Sequence, residues 1–241
     1  MSRTPVREQP RSRPRTAESL ELKWFSRRGG NPGGLGVLAD VNYLRIQQTL
    51  ETLGSGCNSN NAYNIVNKQG ELVFCAREKT TCCSRFWCGP ARRFDMAIEN
   101  ENGDEILQFV RRVRCDACCC CCCLDKIMIQ TPVGEVLGYV KERCSFCGAS
   151  YKILDSDNDE LFRITSPACP CRCYRDSLFP IVDEYDDEVG IIRKQWGGKK
   201  KYANMDHETF IIAFPEGIDI QTKAIILGGA FLVNYMFFEM T

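Results

Sequence analysis

Short apolar segments alternate with polar residues along most of the chain, and polar turns separate them. From about residue 60, one pattern occurs five times: an alternating apolar segment, a polar turn, an acidic residue and a second apolar segment. The five copies cover residues 63–74, 94–110, 127–140, 151–164 and 179–192. Alternating hydrophobicity around turns rich in Gly, Asn and Asp is typical of β-hairpins, so the pattern predicts ten strands.

Two further segments flank these hairpins. Residues 209–214 alternate in the same way and predict one more strand, whereas residues 41–53 fit either a strand or a helix. The sum is an antiparallel meander of eleven or twelve strands. A sheet of that width normally curls, splits into two sheets or closes into a barrel.

The last apolar segment, residues 224–238, is hydrophobic on nearly all faces, which is typical of a helix in apolar surroundings. As a helix it spans about 22 Å, whereas the hydrocarbon core of a bilayer is about 30 Å thick. The length and the polar Asn234 within the segment favour a helix in the protein core, for example inside a closed barrel. A tilted membrane span is the alternative.

Residues 1–36 differ in composition, because Pro and Arg dominate the first part and a Gly-rich stretch ends it. We expect a disordered tail at residues 1–36 and one folded domain at residues 37–241. The prolines between Pro5 and Pro14 make the tail a weak candidate ligand for SH3-type domains. The first twenty residues contain no apolar signal segment, which predicts a cytosolic location with reduced or modified thiols.

The composition narrows the possible chemistry. Lys plus Arg and Asp plus Glu both number 31, so the net charge is zero, which argues against nucleic acid as the main partner. The single histidine, His207, and the lack of a G-x-S-x-G sequence argue against serine-hydrolase chemistry. No G-x-x-x-x-G-K-[ST] motif occurs either. The sequence thus gives no support for a covalent enzyme or an ATPase.

Cysteine is the outlier, with 17 residues, of which six are consecutive. The run consists of Cys118, Cys119, Cys120, Cys121, Cys122 and Cys123. Thioester acylation of two or more of these thiols would hold the protein firmly on a membrane. Arg111, Arg112 and Arg114 lie beside the run and would add attraction to anionic lipid.

Metal binding is the alternative interpretation of the cysteines. C-x-x-C pairs at residues 115–118 and 144–147 have the spacing of zinc ligands, and three more cysteines alternate at residues 169–173. A zinc site would leave residues 119–123 unexplained. Inert thiols are the third interpretation.

Several motifs in one order give the chain a resemblance to a known family. They are Cys82-Cys83 with the sequence CGPAR at residues 88–92, the run at residues 118–123, GEVLGYV at residues 134–140, residues 190–198 around Trp196, Phe214-Pro215, and residues 230–239. Over residues 40–239 the chain resembles the phospholipid scramblases. The resemblance implies an all-β fold with one central helix, a closed antiparallel barrel of about 12 strands around a hydrophobic C-terminal α-helix, as in Tubby-like proteins.

The resemblance also implies a function. Scramblases move phospholipids in both directions between the two leaflets, triggered by calcium and without ATP. It further implies palmitate on the cysteine run, a location at the cytoplasmic face of the plasma membrane, and entry into the nucleus when the protein is not acylated.

Calcium has two candidate sites. The family's proposed site corresponds to residues 206–217, where the last, acidic position of the motif is replaced by Gly217. The candidate ligands are Asp206, Glu208, Phe210, Glu216 and Asp219. Carboxylates suit Ca²⁺, but so few predict weak binding, and a strand with solvated acidic ends is the alternative. The second candidate, residues 155–160, resembles the start of an EF-hand loop but lacks its glycine, so a hairpin turn is the preferred interpretation.

A basic cluster surrounds Trp196. It consists of Arg193, Lys194, Lys199, Lys200 and Lys201, and it corresponds to the family's proposed nuclear import segment. Such a cluster could equally contact anionic headgroups or be a solvated turn.

Three function hypotheses follow from the sequence. The first is a lipid-anchored phospholipid scramblase. The second is a non-catalytic adaptor that is tethered to the membrane by acylation and can enter the nucleus. The third is a zinc-stabilised structural protein.

Overall fold

The structure is a computed structural model that describes residues 34–49, 61–79, 94–112, 124–143, 149–167, 176–195 and 209–238. Twelve antiparallel strands form one closed barrel in which each strand pairs with its neighbours in sequence. Strand β1 closes the ring by pairing with both β2 and β12. The strands are β1 Tyr43–Thr49, β2 Ala62–Val66, β3 Leu72–Glu78, β4 Phe94–Glu99, β5 Glu105–Arg111, β6 Lys126–Gln130, β7 Val136–Arg143, β8 Ser150–Asp155, β9 Glu160–Thr165, β10 Ser177–Val182, β11 Glu188–Gln195 and β12 Thr209–Ala213. The predicted barrel is confirmed, and residues 41–53 contain a strand.

The five repeated hairpins share one turn geometry, which explains the repeat in the sequence. The first turn residue is polar; for example, the Asn67 side chain accepts hydrogen bonds from the backbone N–H groups of Gln69 and Glu71. The fourth turn residue has a positive φ, and a register shift beside the turn marks a bulge. These fourth residues are Gly70, Gly103, Gly134, Asn158 and Asp186, with φ of 87°, 83°, 88°, 67° and 66°.

One α-helix, α1 (Ile220–Phe237), runs through the barrel. Fifteen of its residues are buried, from Ile220 to Tyr235 with the single exception of Gln221. It is the one described helix long and apolar enough to cross a membrane, but here 83% of it is buried inside the protein. The helix begins four residues before the predicted segment, because the Asp219 carboxylate caps it by accepting a hydrogen bond from the Thr222 N–H at 2.6 Å.

Two adjacent glycines let the helix approach the barrel wall closely. A Cβ atom at Gly228 would lie 2.7 Å from Cγ1 of Ile129, and one at Gly229 would lie 2.8 Å from Cδ1 of Ile164. Both isoleucines are fully buried, so neither can move aside without disturbing the core. The helix therefore fits this position because it lacks side chains there.

The two ends of the barrel differ in the length of their connections. We call "turn end" the end formed by residues 67–71, 100–104, 131–135, 155–159, 183–187 and 214–219. The "loop end" has the longer connections, at residues 50–61, 79–93, 112–125, 144–149, 166–176 and 196–208. Helix α1 begins at the turn end, where Gln221 donates to the Leu137 carbonyl, and it finishes at the loop end.

A 3₁₀ turn, Leu35–Leu38, closes the turn end. Its two leucines are buried, and the buried Lys223 of α1 donates through Nζ to the carbonyls of Leu38 and Ala39, both at 2.8 Å. The predicted domain boundary after residue 36 thus falls within this packed turn. Residues 1–33 lie outside the described residues, and the disordered tail stays a prediction.

The shared turn geometry predicts opposite effects for two substitutions. Gly134→Ala should lower the free energy of unfolding by about 1–2 kcal/mol, because alanine is strained at a φ of 88°. The new Cβ would meet no atom within 4 Å, so the decrease in the free energy of unfolding comes from backbone strain alone. Asn158→Gly, in the equivalent position, should leave stability unchanged or raise it. Urea unfolding measures both, and equal losses in the two variants would contradict the shared geometry.

Candidate functional site

The cysteine run lies in the connection between β5 and β6, at the loop end. Residues 113–123 are outside the described residues, but both flanks are described: Arg111 ends β5, and Leu124 and Asp125 lead into β6. By sequence position, sixteen of the seventeen cysteines fall in the connections of the loop end, and Cys75 is the exception, in β3. An acyl chain on any of these sixteen cysteines would therefore be attached at the loop end.

A buried ion pair joins the two flanks of this connection. Arg111 Nε lies 2.8 Å from Asp125 Oδ1, and Nη2 lies 2.5 Å from the same oxygen. The side chains are only 1% and 2% exposed, so this is a core interaction and not a surface ion pair. Glu142 of β7 extends the network, because its carboxylate accepts from the Asp125 N–H and its own N–H donates to the Asp125 carbonyl.

Arg111 also contacts the last turn of helix α1. Its guanidinium carbon lies 4.8 Å from the centre of the Tyr235 ring, and Nη2 lies 3.7 Å from the Met236 sulfur. A cation above an aromatic ring is attracted to its negative face. Arg111 thus links the flanks of the cysteine-bearing connection to the carboxyl end of the helix.

Aromatic side chains fill the rest of the interior at the loop end. Phe237 of the helix packs against Tyr151 and Phe179 with ring centres 6.4 and 5.7 Å apart, and Phe238 packs on Phe210 at 5.7 Å. The Tyr151 hydroxyl is buried and has no hydrogen-bond partner among the described residues. Burial raises the pKa of Tyr151, and the nearby carboxylates of Glu142 and Asp125 raise it further, so the phenol stays neutral. These rings seal the barrel around the end of α1.

Comparison with known proteins gives consistent matches. The model of the Scramblase family matches residues 25–240. Phospholipid scramblase 2 of Bos taurus is 39% identical over 214 residues, which are 87% of this chain and 73% of that protein. Phospholipid scramblase 1 of Homo sapiens is 37% identical over 214 residues, 87% of this chain and 67% of that protein.

The chain belongs to the scramblase family. A further member, phospholipid scramblase 4 of Homo sapiens, is 31% identical in an alignment of 244 positions that covers 98% of this chain and 74% of that protein. The resemblance that the sequence motifs indicated is confirmed. As a scramblase-family barrel, the protein carries its cysteine-rich connections and the end of its helix at the same end.

The predicted calcium ligands do not form one site among the described residues. The side chain of Phe210 points into the barrel near the loop end and is 1% exposed, whereas Glu216 and Asp219 lie at the turn end. Strand β12 separates them by roughly 15 Å, while Ca²⁺ binds oxygen within about 2.6 Å. The Asp219 carboxylate already caps the helix. Asp206 and Glu208 lie outside the described residues, so calcium binding there stays a prediction.

The other metal predictions have the following outcome. Residues 155–159 form the turn between β8 and β9, and Asp155 accepts from the N–H groups of Asp157 and Asp159, as expected for a hairpin. The described part of the chain contains no group of three or more His, Cys, Asp or Glu that could hold a metal ion. The cysteines of the predicted zinc site lie outside it, so that alternative stays open.

The predicted basic cluster is described only in part. Arg193 is exposed on β11, and Nζ of Lys194 lies 3.8 Å from the centre of the Phe238 ring, at the loop end. Lys199, Lys200 and Lys201 lie outside the described residues. Nuclear import by this cluster stays a prediction.

Sequence reasoning missed the Arg111–Asp125 pair, although a signal was present. Leu107, Phe109 and Arg111 occupy inward positions of β5, so the alternation placed an arginine in the core. A buried charge needs a partner, and an acidic residue at the start of the next strand was the obvious candidate.

Removing one member of this pair should be strongly destabilising. Arg111→Met should lower the free energy of unfolding by about 3–5 kcal/mol, because Asp125 would remain buried without its counterion. The double variant Arg111→Met, Asp125→Asn should recover a large part of that loss. Urea unfolding of the unmodified protein, Arg111→Met, Asp125→Asn and the double variant gives the coupling energy, and strictly additive losses would contradict the role of the pair.

Proposed function

We propose that this protein moves phospholipids between the leaflets of a membrane, without ATP and in response to calcium. Family membership supports the proposal, because the similar relatives are named phospholipid scramblases. One observation carries the proposal: the cysteine-rich connections and the carboxyl end of an apolar helix lie at the same end of the barrel. Anchor and helix can therefore reach the same membrane together.

The membrane anchor in this proposal is palmitate on residues 118–123, which holds the protein at the cytoplasmic face of the plasma membrane. A single acyl chain binds marginally, whereas two or more hold firmly, and the run offers six thiols. Because Arg111 contacts both Asp125 and the last turn of α1, a pull on the anchored connection acts on the helix as well.

A closed barrel filled by its helix offers no internal path for a lipid. The helix buries eight large apolar side chains, and exposing them to water would cost on the order of 12–24 kcal/mol. That cost equals or exceeds the upper part of the range of about 5–15 kcal/mol by which a domain is normally stable. In water the helix therefore stays inside, and it can leave only where another apolar medium receives it.

A bilayer could receive the helix, with consequences for lipid movement. Its eighteen residues span about 27 Å, but Lys223 and Asn234 confine the purely apolar centre to the ten residues between them, about 15 Å. A bilayer accommodates such a short apolar segment by thinning locally. In the proposed mechanism the inserted helix thins the bilayer, which shortens the apolar layer that a headgroup must cross.

Calcium dependence is proposed on family membership, with Asp206 and Glu208 as ligands. The described residues of the predicted set do not fit one coordination sphere, as shown above. No step of the mechanism is therefore assigned to the ion.

Scrambling can be tested with the purified, acylated full-length protein in liposomes. Calcium should make lipid labelled on the inner leaflet accessible to a membrane-impermeant reagent, without ATP. The Asp206→Ala, Glu208→Ala variant should lose the calcium response, whereas Asp155→Ala in the hairpin turn should keep it. Labelled lipid that stays inaccessible with calcium present would contradict the proposed activity.

Gly228→Ala distinguishes a helix that acts in the bilayer from one that acts in the barrel. Alanine favours the helix by about 1 kcal/mol in any environment, but in the barrel its Cβ would overlap Ile129, at a cost of about 1–3 kcal/mol. The variant should therefore scramble faster, because the overlap is relieved when the helix leaves the barrel. If Gly228→Ala instead scrambles more slowly, in proportion to its loss of stability, the helix acts inside the barrel.

A second candidate function is a membrane-tethered adaptor without transport activity. The sealed barrel favours it, because the helix and the aromatic side chains at the loop end leave no lipid path through the interior. Such an adaptor would use the tail for SH3-type partners and the cluster Arg193, Lys194 and Lys199–Lys201 for nuclear entry after deacylation. The liposome experiment separates the two functions, since an adaptor would show no lipid movement.

A further inference from the structure

Charge is distributed unevenly along the barrel axis. The connections of the turn end contain thirteen acidic residues and one basic residue, Lys68. Arg163 of β9 adds a second positive charge, because its guanidinium pairs with Asp186 at 2.6 Å. The acidic residues are Glu71, Glu101, Asp104, Glu135, Asp155, Asp157, Asp159, Asp183, Glu184, Asp186, Asp187, Glu216 and Asp219. A net charge of zero for the whole chain conceals this strongly negative end.

The loop end has the opposite sign. Among the described residues at its strand ends, the exposed basic side chains are Arg77, Lys79, Arg112, Lys141, Arg143 and Arg193. Arg77 and Lys79 are neutralised by ion pairs with Glu99 at 3.3 Å and Glu105 at 2.7 Å, so the positive charge of this end comes mainly from the other four. Of the five acidic side chains described there, Asp176 is exposed, and Glu78, Asp95, Asp125 and Glu142 are buried or half-buried. The part of this end that the structure describes therefore presents mainly positive side chains to solvent.

The two ends act independently on a charged surface. Strands of five to eight residues separate them by about 17–27 Å, whereas the Debye length at physiological ionic strength is about 8 Å. An anionic surface that contacts the loop end is thus screened from the acidic turns. The same surface would repel the turn end.

We propose that the barrel stands end-on on an anionic bilayer, with the loop end against the headgroups and the turn end away from them. Charge complementarity supports an anionic bilayer as the partner of the loop end, because each basic side chain near an anionic leaflet strengthens binding about fivefold. The position of the cysteine-bearing connection at the same end supports the orientation independently of charge. The inference rests on the proposed function only in that a membrane is the partner, and it needs neither calcium nor lipid movement.

Binding of the non-acylated full-length protein to vesicles tests the surface. Vesicles of phosphatidylcholine with phosphatidylserine should bind it, and vesicles of phosphatidylcholine alone should not. The variant Arg112→Gln, Arg143→Gln, Arg193→Gln should bind about a hundredfold more weakly. The variant Lys68→Gln, Gln69→Glu, Asn102→Asp changes the net charge equally at the turn end and should bind within twofold of the unmodified protein.

Three results would overturn the docking surface: no binding to anionic vesicles, equal weakening in both variants, or binding to an oligonucleotide in place of vesicles. The last result would assign the surface to nucleic acid. The binding experiment uses neither calcium nor acylation. A protein that does not scramble lipid can therefore still bind anionic vesicles, and a protein that scrambles lipid can still fail to bind them in this experiment.

Two exposed residues of one hairpin report the orientation. Leu178 lies at the loop end of β10 and is 47% exposed, and Tyr185 lies in the turn after β10 and is 75% exposed. In a background with Trp24, Trp87 and Trp196 replaced by Phe, Leu178→Trp and Tyr185→Trp each introduce one fluorophore. Brominated lipids should quench the fluorescence of the first variant and leave that of the second unchanged. The opposite pattern, or equal quenching, would overturn the end-on orientation.

Discussion

Burial of one apolar helix inside a closed sheet is the constraint on which the rest of this structure depends. The twelve strands turn their apolar side chains inward, and helix α1 is apolar on nearly all faces. When they pack together, each removes the apolar surface of the other from water. Gly228 and Gly229 set how closely the helix packs on the wall. At the two ends, the 3₁₀ turn and the aromatic side chains of the last helical turn exclude water.

Most of the fold could be predicted from the sequence because its cause is local. Each hairpin repeats an alternating pattern around a turn whose fourth residue needs a positive φ, so ten strands were visible without long-range information. Closure of the ring was not local, because it depends on β1 pairing with β12 across the length of the chain. The resemblance to the scramblases supplied that expectation.

The candidate site was less accessible to sequence reasoning. The cysteine run was conspicuous, but its attachment to the helix depends on Arg111, which meets Asp125 and Tyr235 only in the folded barrel. The calcium prediction grouped residues by motif, whereas a strand carries Phe210 away from Glu216 and Asp219. The difference in charge between the two ends was also hidden, because acidic and basic residues alternate along the chain and separate only when the strands align.

Hydrogen exchange of the amides in α1, measured in water without lipid, tests the central claim most directly. If the helix is enclosed by the strands, its central amides should exchange only through global unfolding, with protection equal to that of the most protected strand amides. Exchange of those amides at the rate of an isolated helix, with the strands still protected, would show that the helix is not held in the barrel and would contradict the account.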